Sequence, residues 1–349
     1  MQKRFSILTI VFFVLFIAVT SLVVFVVDPC FIYRKPSYSY FLQEERSQNN
    51  GILKNFDYDS IITGTSMTQN FRASEFDALF NSQTVKVCNS GGSFKEMHDR
   101  LATGFSSDNT IRFVVWGLDY GYLLSDKDTM YYSAFPDYLY SSTVSDDYKY
   151  LLSKDYLALS IKSLINTIQN NKPTSFDEYS YWADYYSYGK DVVNTTYNRS
   201  EERKATRPFT DTDYSVLSEN LRQNILSLIE ENPQTEFYLF FTPYSIYYFD
   251  KLNNEGELKR QLMAEEKAIE LLLQYDNIHL FSFFDDYELI TDLENYKDTT
   301  HYGPWINSLI LESMKEGRHE LTTGNYRDYC DAIEEYYSKY NYEALFSDR

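Results

Sequence analysis

An uninterrupted apolar run near the N-terminus is the feature that most restricts how this chain can fold. Residues 5–27 are almost wholly apolar and include no charged side chain. This run of 23 residues is longer than the roughly 20 helical residues that cross the hydrocarbon core of a bilayer. Lys3 and Arg4 precede it, which favours a cytoplasmic N-terminus, although Arg34 and Lys35 on the far side reduce the asymmetry. The sequence therefore predicts a cytoplasmic stub and transmembrane anchor at residues 1–27, with the main domain outside the cytoplasm.

A cleaved signal peptide is the alternative explanation of this run. The apolar region of a signal peptide is usually only about 7–15 residues long, and small residues follow it at the cleavage site. Val26, Val27, Asp28 and Pro29 do not form such a site. We therefore expect an uncleaved, single-pass anchor in the cell membrane.

The charge and cysteine content narrow the classes of partner. The formal net charge is −19, which argues against a nucleic-acid partner and against diffuse attachment to anionic lipid, because both need a cationic surface. The three cysteines, Cys30, Cys88 and Cys330, do not form a disulfide framework. No pair of His or Cys residues has the spacing of metal ligands, so we expect neither a metal nor a cofactor.

The sequence after the anchor alternates between strand and helix patterns. Residues 28–55 are polar and are predicted to be a juxtamembrane connector. Strands are then predicted at residues 59–63, 84–88, 111–116, 236–241 and 278–283, and helices at residues 71–80, 94–105, 214–231, 258–275 and 304–315. Such alternation predicts an α/β fold, a three-layer α/β/α arrangement with a mostly parallel sheet.

One long segment interrupts this alternation. Residues 56–320 are predicted to form the domain, with an insertion at about 120–213 that is rich in Tyr, Ser and Asp and has one clear helix at 148–169. The insertion is interpreted either as a substrate-binding lid over the active-site edge or as a surface elaboration with no role in binding. Residues 321–349 are predicted to carry a tyrosine-rich C-terminal helix.

Residues suited to catalysis follow several of the predicted strands. In parallel sheets, ligands bind beyond the carboxyl ends of the strands. Ser66, Gly91 and Asp119 lie there, and we expect the loop from Asp298 to His301 to reach the same edge. A nucleophilic serine needs a base, and the base needs an acid that orients it. Ser66 alone would also suit a helix N-cap, and His301 alone a polar loop, but the combination favours catalysis.

These residues resemble a known superfamily. Gly64-Thr65-Ser66-Met67 follows the first strand, Gly91-Gly92 the second and Gly117-Leu118-Asp119 the third, and Asp298-x-x-His301 precedes a helix. This pattern resembles the SGNH (GDSL-type) hydrolase superfamily over about residues 56–316.

The resemblance implies a role for each of these residues. Ser66 would be the nucleophile that forms an acyl-enzyme, His301 the base and Asp298 its orienting acid. The backbone N–H of Ser66, expected at a helix N-terminus, and that of Gly91 or Gly92 would form the oxyanion hole. Asn89 and Asp119 would lie at the edge of the site.

Two positions depart from the superfamily's pattern. Thr65 stands where the first block usually has Asp, and Asp119 stands where the Asn of a Gly-x-Asn-Asp block would donate to the oxyanion. An ionised carboxylate cannot donate a hydrogen bond. We therefore expect Asp119 to point away from the oxyanion and to accept hydrogen bonds from backbone N–H groups.

A membrane-anchored, outward-facing member of this superfamily resembles the proteins that add or remove O-acyl groups on bacterial surface polymers. These include O-acetylation proteins of exopolysaccharides and the D-alanyl-transfer protein of teichoic acids. The resemblance implies a serine O-acyltransferase or O-acylesterase that acts on a cell-envelope glycan or teichoic acid. In the transferase case a multi-pass membrane acyltransferase would supply the acyl group. The alternative is a non-catalytic envelope protein that binds, or helps to assemble, a surface polymer.

Overall fold

Within residues 2–36, 40–132, 136–140 and 144–346, which the computed structural model describes, six strands form one sheet. They are β1 (Ser60–Thr63), β2 (Thr84–Lys86), β3 (Phe113–Leu118), β4 (Glu236–Phe241), β5 (Ile278–Phe281) and β6 (Glu320–Leu321), in the spatial order β2-β1-β3-β4-β5-β6. The parts of the predictions that fall on residues 1, 37–39, 133–135, 141–143 and 347–349 lie outside the described residues.

Strands β1 to β5 are parallel, which confirms the predicted α/β fold with a mostly parallel sheet. The two central strands β3 and β4 pair along their whole length, from Phe113 opposite Glu236 to Leu118 opposite Phe241. Apart from Phe113 and Tyr238, which are partly buried, the apolar residues of these two strands are buried. The three-layer arrangement stays a prediction.

The helices are α1 (Gln2–Val27), α2 (Glu45–Asn55), α3 (Ala73–Phe80), α4 (Phe94–Phe105), α5 (Asp147–Leu151), α6 (Lys154–Ile168), α7 (Lys190–Thr196), α8 (Asp211–Leu221), α9 (Ser227–Glu231), α10 (Ile246–Asn254), α11 (Leu258–Leu272), α12 (Tyr287–Thr291), α13 (Pro304–Glu316) and α14 (Tyr326–Lys339). A π-helical turn, Arg222–Leu226, joins α8 to α9. Short 3₁₀ turns occur at Tyr120–Tyr122, Asp137–Leu139, Val144–Asp146, Ala183–Tyr185, Leu293–Asn295 and Tyr342–Phe346.

Local capping explains where the best-predicted helices begin and end. Helix α4 opens on a reciprocal capping box, in which the Ser93 hydroxyl accepts from the Glu96 N–H and the Glu96 carboxylate accepts from the Ser93 N–H. Helix α13 begins with Pro304, whose missing N–H costs nothing in the first turn. It ends at Gly317, which has a φ of +69°.

Several elements differ from the predictions. The helix predicted at 148–169 is two helices, α5 and α6. The first ends at Leu151, and Ser153 caps the start of the second by accepting a hydrogen bond from the Asp155 N–H. Helices α2, α7, α10 and α12 and the short antiparallel strand β6 were not predicted.

Residues 28–55, predicted as a connector, contain α2, whose residues from Gln48 to Leu53 are buried. This helix packs against α4. The domain boundaries themselves stay predictions. Among the described residues, one helix, Lys3–Val27, is long and apolar enough to cross a membrane.

Candidate active site

A tight turn after β1 carries Ser66. Gly64 has a φ of +139°, and a Cβ at this position would lie 2.8 Å from the Thr68 side chain. Gly117 in β3 faces the same side chain, and its Cβ would lie 2.6 Å from the Thr68 methyl group. Both positions therefore need glycine so that the turn can fold back onto the sheet.

The expectation that Ser66 lies at a helix N-terminus is wrong. Residues 66–70 form a turn, in which the Thr68 N–H donates to the Thr65 carbonyl at 3.1 Å. Helix α3 begins only at Ala73. Any stabilisation of negative charge at Ser66 must therefore come from individual N–H groups rather than from a helix dipole.

Ser66, His301 and Asp298 lie together, although 235 residues separate Ser66 from His301. The Ser66 Oγ lies 2.8 Å from His301 Nε2. On the other side of the ring, His301 Nδ1 lies 2.8 Å from Asp298 Oδ2 and 3.0 Å from Asp298 Oδ1. These are the contacts that a serine nucleophile, its base and an orienting acid need. The structure thus brings together all three side chains to which the sequence assigned these roles.

Asp298 stays ionised in this arrangement. Burial opposes its ionisation, but hydrogen bonds from the His301 ring and from the backbone N–H groups of His301 and Thr300 hold the pKa of the Asp298 carboxyl well below its usual range. An ionised carboxylate only accepts hydrogen bonds, so it favours the histidine tautomer with the proton on Nδ1. The Nε2 lone pair then faces the Ser66 hydroxyl.

The loop that carries Asp298 and His301 is fastened to its surroundings at two places. The Ser245 N–H and hydroxyl, just after β4, donate to the Thr299 carbonyl at 3.1 and 2.8 Å. The Tyr302 hydroxyl donates to the Met67 carbonyl, beside Ser66, at 2.9 Å. The Tyr302 bond joins the histidine loop directly to the serine turn, and the Ser245 bonds join the loop to the segment after β4.

Asp119 is held by two hydroxyl groups. The Thr65 hydroxyl donates to Asp119 Oδ2 and the Tyr244 hydroxyl to Oδ1, each at 2.6 Å. The prediction that backbone N–H groups hold this carboxylate is therefore wrong. Burial raises the pKa of Asp119, and the bonds from Thr65 and Tyr244 and the nearby His301 oppose that rise.

The two departures from the superfamily's pattern are thus in direct contact. A hydroxyl at Thr65 faces a carboxylate at Asp119, so a donor is matched to an acceptor. The pairing ties the residue before Ser66 to the end of β3, and Tyr244 extends the tie to the segment after β4.

The candidate oxyanion donors differ in availability. The Gly92 N–H donates to the Asn89 carbonyl at 2.9 Å, so a turn already uses it. Within the described parts of the chain, the N–H groups of Ser66 and Gly91 meet no hydrogen-bond acceptor. Gly91 has a φ of +62°, which favours glycine there. Of the two predicted glycines, Gly91 keeps its donor free.

Asn89 contributes to the site through its backbone. Its N–H donates to the Gly64 carbonyl at 2.8 Å, which joins the end of β2 to the turn that leads to Ser66. Its buried side-chain amide lies 3.5 Å from the Glu96 carboxylate in α4. Asn89 thus supports the serine turn from the neighbouring strand end.

Trp182, a residue that the sequence analysis did not single out, contacts the site from the insertion. Its indole N–H donates to the Ser66 carbonyl at 3.1 Å. Its ring meets the His301 ring edge-on, with centroids 5.5 Å apart. The Asn70 side-chain oxygen accepts the N–H groups of Trp182 and Ala183 and so anchors this part of the insertion. The available sequence signal was only that Trp182 is one of three tryptophans in the chain.

A buried lysine also fastens the insertion to the serine turn. Lys86 in β2 donates to the carbonyls of Gln69, Phe71 and Asp177, at 2.5, 2.9 and 3.2 Å. Burial lowers the pKa of Lys86 to about 8. The insertion therefore contacts the active-site edge of the domain. A role for it in substrate binding stays a prediction.

No protein-family model matches the chain, and no curated protein matches it. Among solved structures, the chain is similar to one provisionally described as a platelet activating factor from Streptococcus pneumonia. The TM-score is 0.41 at 12% identity, over 78% of this chain and 91% of that chain. No functional conclusion follows from a similarity at this level.

Proposed function

We propose that this protein is a membrane-anchored serine O-acylesterase or O-acyltransferase of the SGNH type, which acts on a bacterial cell-envelope glycan or teichoic acid. One observation carries the proposal: the continuous contacts of 2.8 Å from Ser66 Oγ to His301 Nε2 and from His301 Nδ1 to Asp298. We also propose that this protein has the three-layer α/β/α arrangement of that superfamily.

The proposed reaction has two halves. His301 Nε2 takes the Ser66 hydroxyl proton as Oγ attacks the acyl carbonyl of an ester, and ionised Asp298 stabilises the resulting imidazolium. The tetrahedral oxyanion faces the free N–H groups of Ser66 and Gly91. His301 then gives the proton to the departing alkoxide, which leaves as an alcohol, and the acyl group remains on Ser66 Oγ as an ester.

The second half regenerates the enzyme. Water or a polymer hydroxyl attacks the acyl carbonyl and gives its proton to His301. The bond to Ser66 Oγ then breaks, His301 returns the proton to Oγ, and a carboxylic acid or a new ester is released. Hydrolysis and transfer share the acyl-enzyme and differ only in the acceptor. In the transfer case a multi-pass membrane acyltransferase is the partner that supplies the acyl group.

Labelling with a serine-directed fluorophosphonate tests the chemistry. We expect the full-length protein to be labelled, Ser66→Ala to be unlabelled, and His301→Ala to be labelled much more slowly. Ser215→Ala is the matched control, because Ser215 is an exposed serine on α8. Equal labelling of Ser66→Ala and the wild type would refute the assignment.

The alternative, a non-catalytic polymer-binding protein, predicts no labelling at Ser66. Its sequence support was a carboxylate at Asp119 in the position of an oxyanion donor. The hydroxyl groups of Thr65 and Tyr244 engage that carboxylate, which weakens the support.

A reporter fusion tests the proposed location. Alkaline phosphatase joined after residue 55 should be active, since the enzyme requires export, and the same fusion without residues 5–27 should be inactive. An inactive full fusion would rule out the extracytoplasmic location. Loss of the first thirty or so residues from the mature protein would instead identify a signal peptide.

A further inference from the structure

Helix α6 exposes a continuous apolar stripe to its surroundings. The exposed fractions are 48% for Ile161, 43% for Leu164, 48% for Ile165 and 78% for Ile168. Residues with this i, i+3, i+4, i+7 spacing share one face of a helix. Four large aliphatic side chains grouped on one face mark a contact surface rather than isolated exposed residues.

The same helix packs against the predicted membrane anchor. Helix α6 contacts α1, and a different face of α6, with Tyr156, Ser160 and Ser163, is buried. Leu164 and Thr167 of α6 line one cavity together with Val26 and Val27 of α1. The C-terminal half of α6 therefore lies beside the last turn of the anchor.

The stripe continues the exposed apolar surface of α1. In the last turns of that helix, Leu22, Phe25 and Val26 are exposed and apolar. Because α1 and α6 lie side by side, a bilayer that surrounds α1 would also reach α6.

The charge around α6 differs from that of the whole chain. Residues 154–172, from the start of α6 to just beyond its end, contain three Lys and one Asp, whereas the full sequence has 51 acidic and 32 basic residues. Arg34 adds a cation at the end of α1, where its guanidinium lies 4.7 Å from the Phe25 ring centroid and donates to the Phe25 carbonyl. Cations beside the end of the membrane anchor complement the anionic headgroups of a membrane surface.

We propose that α6 lies in the membrane interface on the side of the main domain, with Ile161, Leu164, Ile165 and Ile168 among the acyl chains of a lipid bilayer. The inference rests on the membrane anchoring in the proposed function and not on its chemistry. Helix α6 is then a second membrane contact, and two contacts fix the orientation of the main domain relative to the bilayer, which α1 alone would not.

Fluorescence quenching by lipid tests this inference directly. The full chain, with the partly exposed Cys330 replaced by serine, would receive one cysteine at Ile165 or Ile168, labelled with an environment-sensitive fluorophore. Cys30 and Cys88 are buried and stay in place. The labelled protein would be reconstituted into vesicles of equal parts phosphatidylglycerol and phosphatidylethanolamine that contain acyl-chain nitroxide lipid.

A label at either α6 position should show roughly a twofold or greater loss of emission, because an interfacial helix lies about 5–10 Å into the headgroup and acyl boundary. A label at Glu334, exposed on α14, should show no loss. A label at Val14 in α1 reports the anchor itself. Quenching at Val14 without quenching at Ile165 and Ile168 would overturn the inference while leaving the anchor intact.

The inference would also be overturned if the α6 labels emitted as in an apolar environment in native membranes but as in water in lipid vesicles. A membrane protein, and not lipid, would then cover the stripe. None of these readouts depends on catalytic activity. Failure of the proposed chemistry and failure of this inference are therefore distinguishable.

Discussion

The indole N–H of Trp182 donates a hydrogen bond to the backbone carbonyl of Ser66, across 116 residues of sequence. The bond joins the insertion to the residue that we propose as the nucleophile. The Trp182 ring also meets His301 edge-on, so one side chain contacts both the serine turn and the histidine loop. We therefore expect the insertion to help to position the site.

Trp182→Phe should lower kcat/KM for a small ester such as p-nitrophenyl acetate by about 2- to 10-fold, because it removes one hydrogen bond worth about 0.5–1.5 kcal/mol but keeps an aromatic ring. Trp305→Phe is the matched control, since the Trp305 indole N–H donates to Asn295 instead. A Trp182→Phe variant as active as the wild type would show that the bond to Ser66 does not position it.

Asp119→Asn should lower the free energy of unfolding by about 1–3 kcal/mol, because an amide offers one acceptor oxygen where two buried hydroxyls need an acceptor. Urea denaturation measures this change. Thr65→Val combined with Asp119→Asn should destabilise less than the sum of the two single changes, since the residues share a hydrogen bond. A sharp rise in turnover without loss of stability would instead place Asp119 in the oxyanion position.

Asp298→Asn should reduce kcat on the order of 10⁴-fold, because the members of a triad act as a unit and the ionised acid selects the base's tautomer. Steady-state hydrolysis of the same ester measures the loss. Asp292→Asn is a control for the same chemical change outside the site, since Asp292 caps a neighbouring 3₁₀ turn. Turnover within tenfold of the wild type would exclude Asp298 as the orienting acid.

The same change should alter acid stability. The folded-state pKa of Asp298 is depressed below the usual aspartate value of 3.8, so its stabilising contribution is present above pH 3.8 and is lost as the pH falls through the folded-state pKa. The difference in free energy of unfolding between wild type and Asp298→Asn should therefore shrink as the pH falls below 3.8. A difference that grows as the pH falls below 3.8 would contradict the depressed pKa.

The buried carboxyl of Glu265 should give the free energy of unfolding the opposite pH dependence. Burial raises its pKa from 4.5 to about 7, while the Tyr329 hydroxyl donates to it at 2.6 Å. The folded protein thus retains a proton that the unfolded chain releases, so stability falls as the pH rises from 4.5 through about 7. Relative to Glu265→Gln, the wild type should lose about 3 kcal/mol over this range, at 1.36 kcal/mol per pKa unit.

Thermal and urea unfolding of both proteins between pH 4.5 and 8 would measure the effect. Glu266→Gln changes the neighbouring, partly exposed glutamate and should keep the wild-type pH dependence. Parallel pH curves for wild type and Glu265→Gln would mean that the buried carboxyl does not carry the proton.

Local sequence patterns were sufficient for much of the fold. The uncharged run predicted α1, and apolar runs ended by glycine or polar residues predicted β1 to β5 within about two residues of their observed bounds. These signals are local because strand and helix periodicity repeats within a few residues. The two residues of β6 are too few to carry such a period, and α2 lies in a polar segment whose burial depends on α4.

For the site, the sequence by itself determined which residues had the chemistry of a nucleophile, base and acid, namely Ser66, His301 and Asp298. It also placed Ser66 after a strand, where parallel sheets bind ligands. Only the tertiary structure decided that Trp182 meets this site and that Thr65 and Tyr244 hold Asp119. Those contacts join residues more than fifty positions apart, and their geometry depends on how the sheet, the serine turn and the insertion pack together, which no local pattern records.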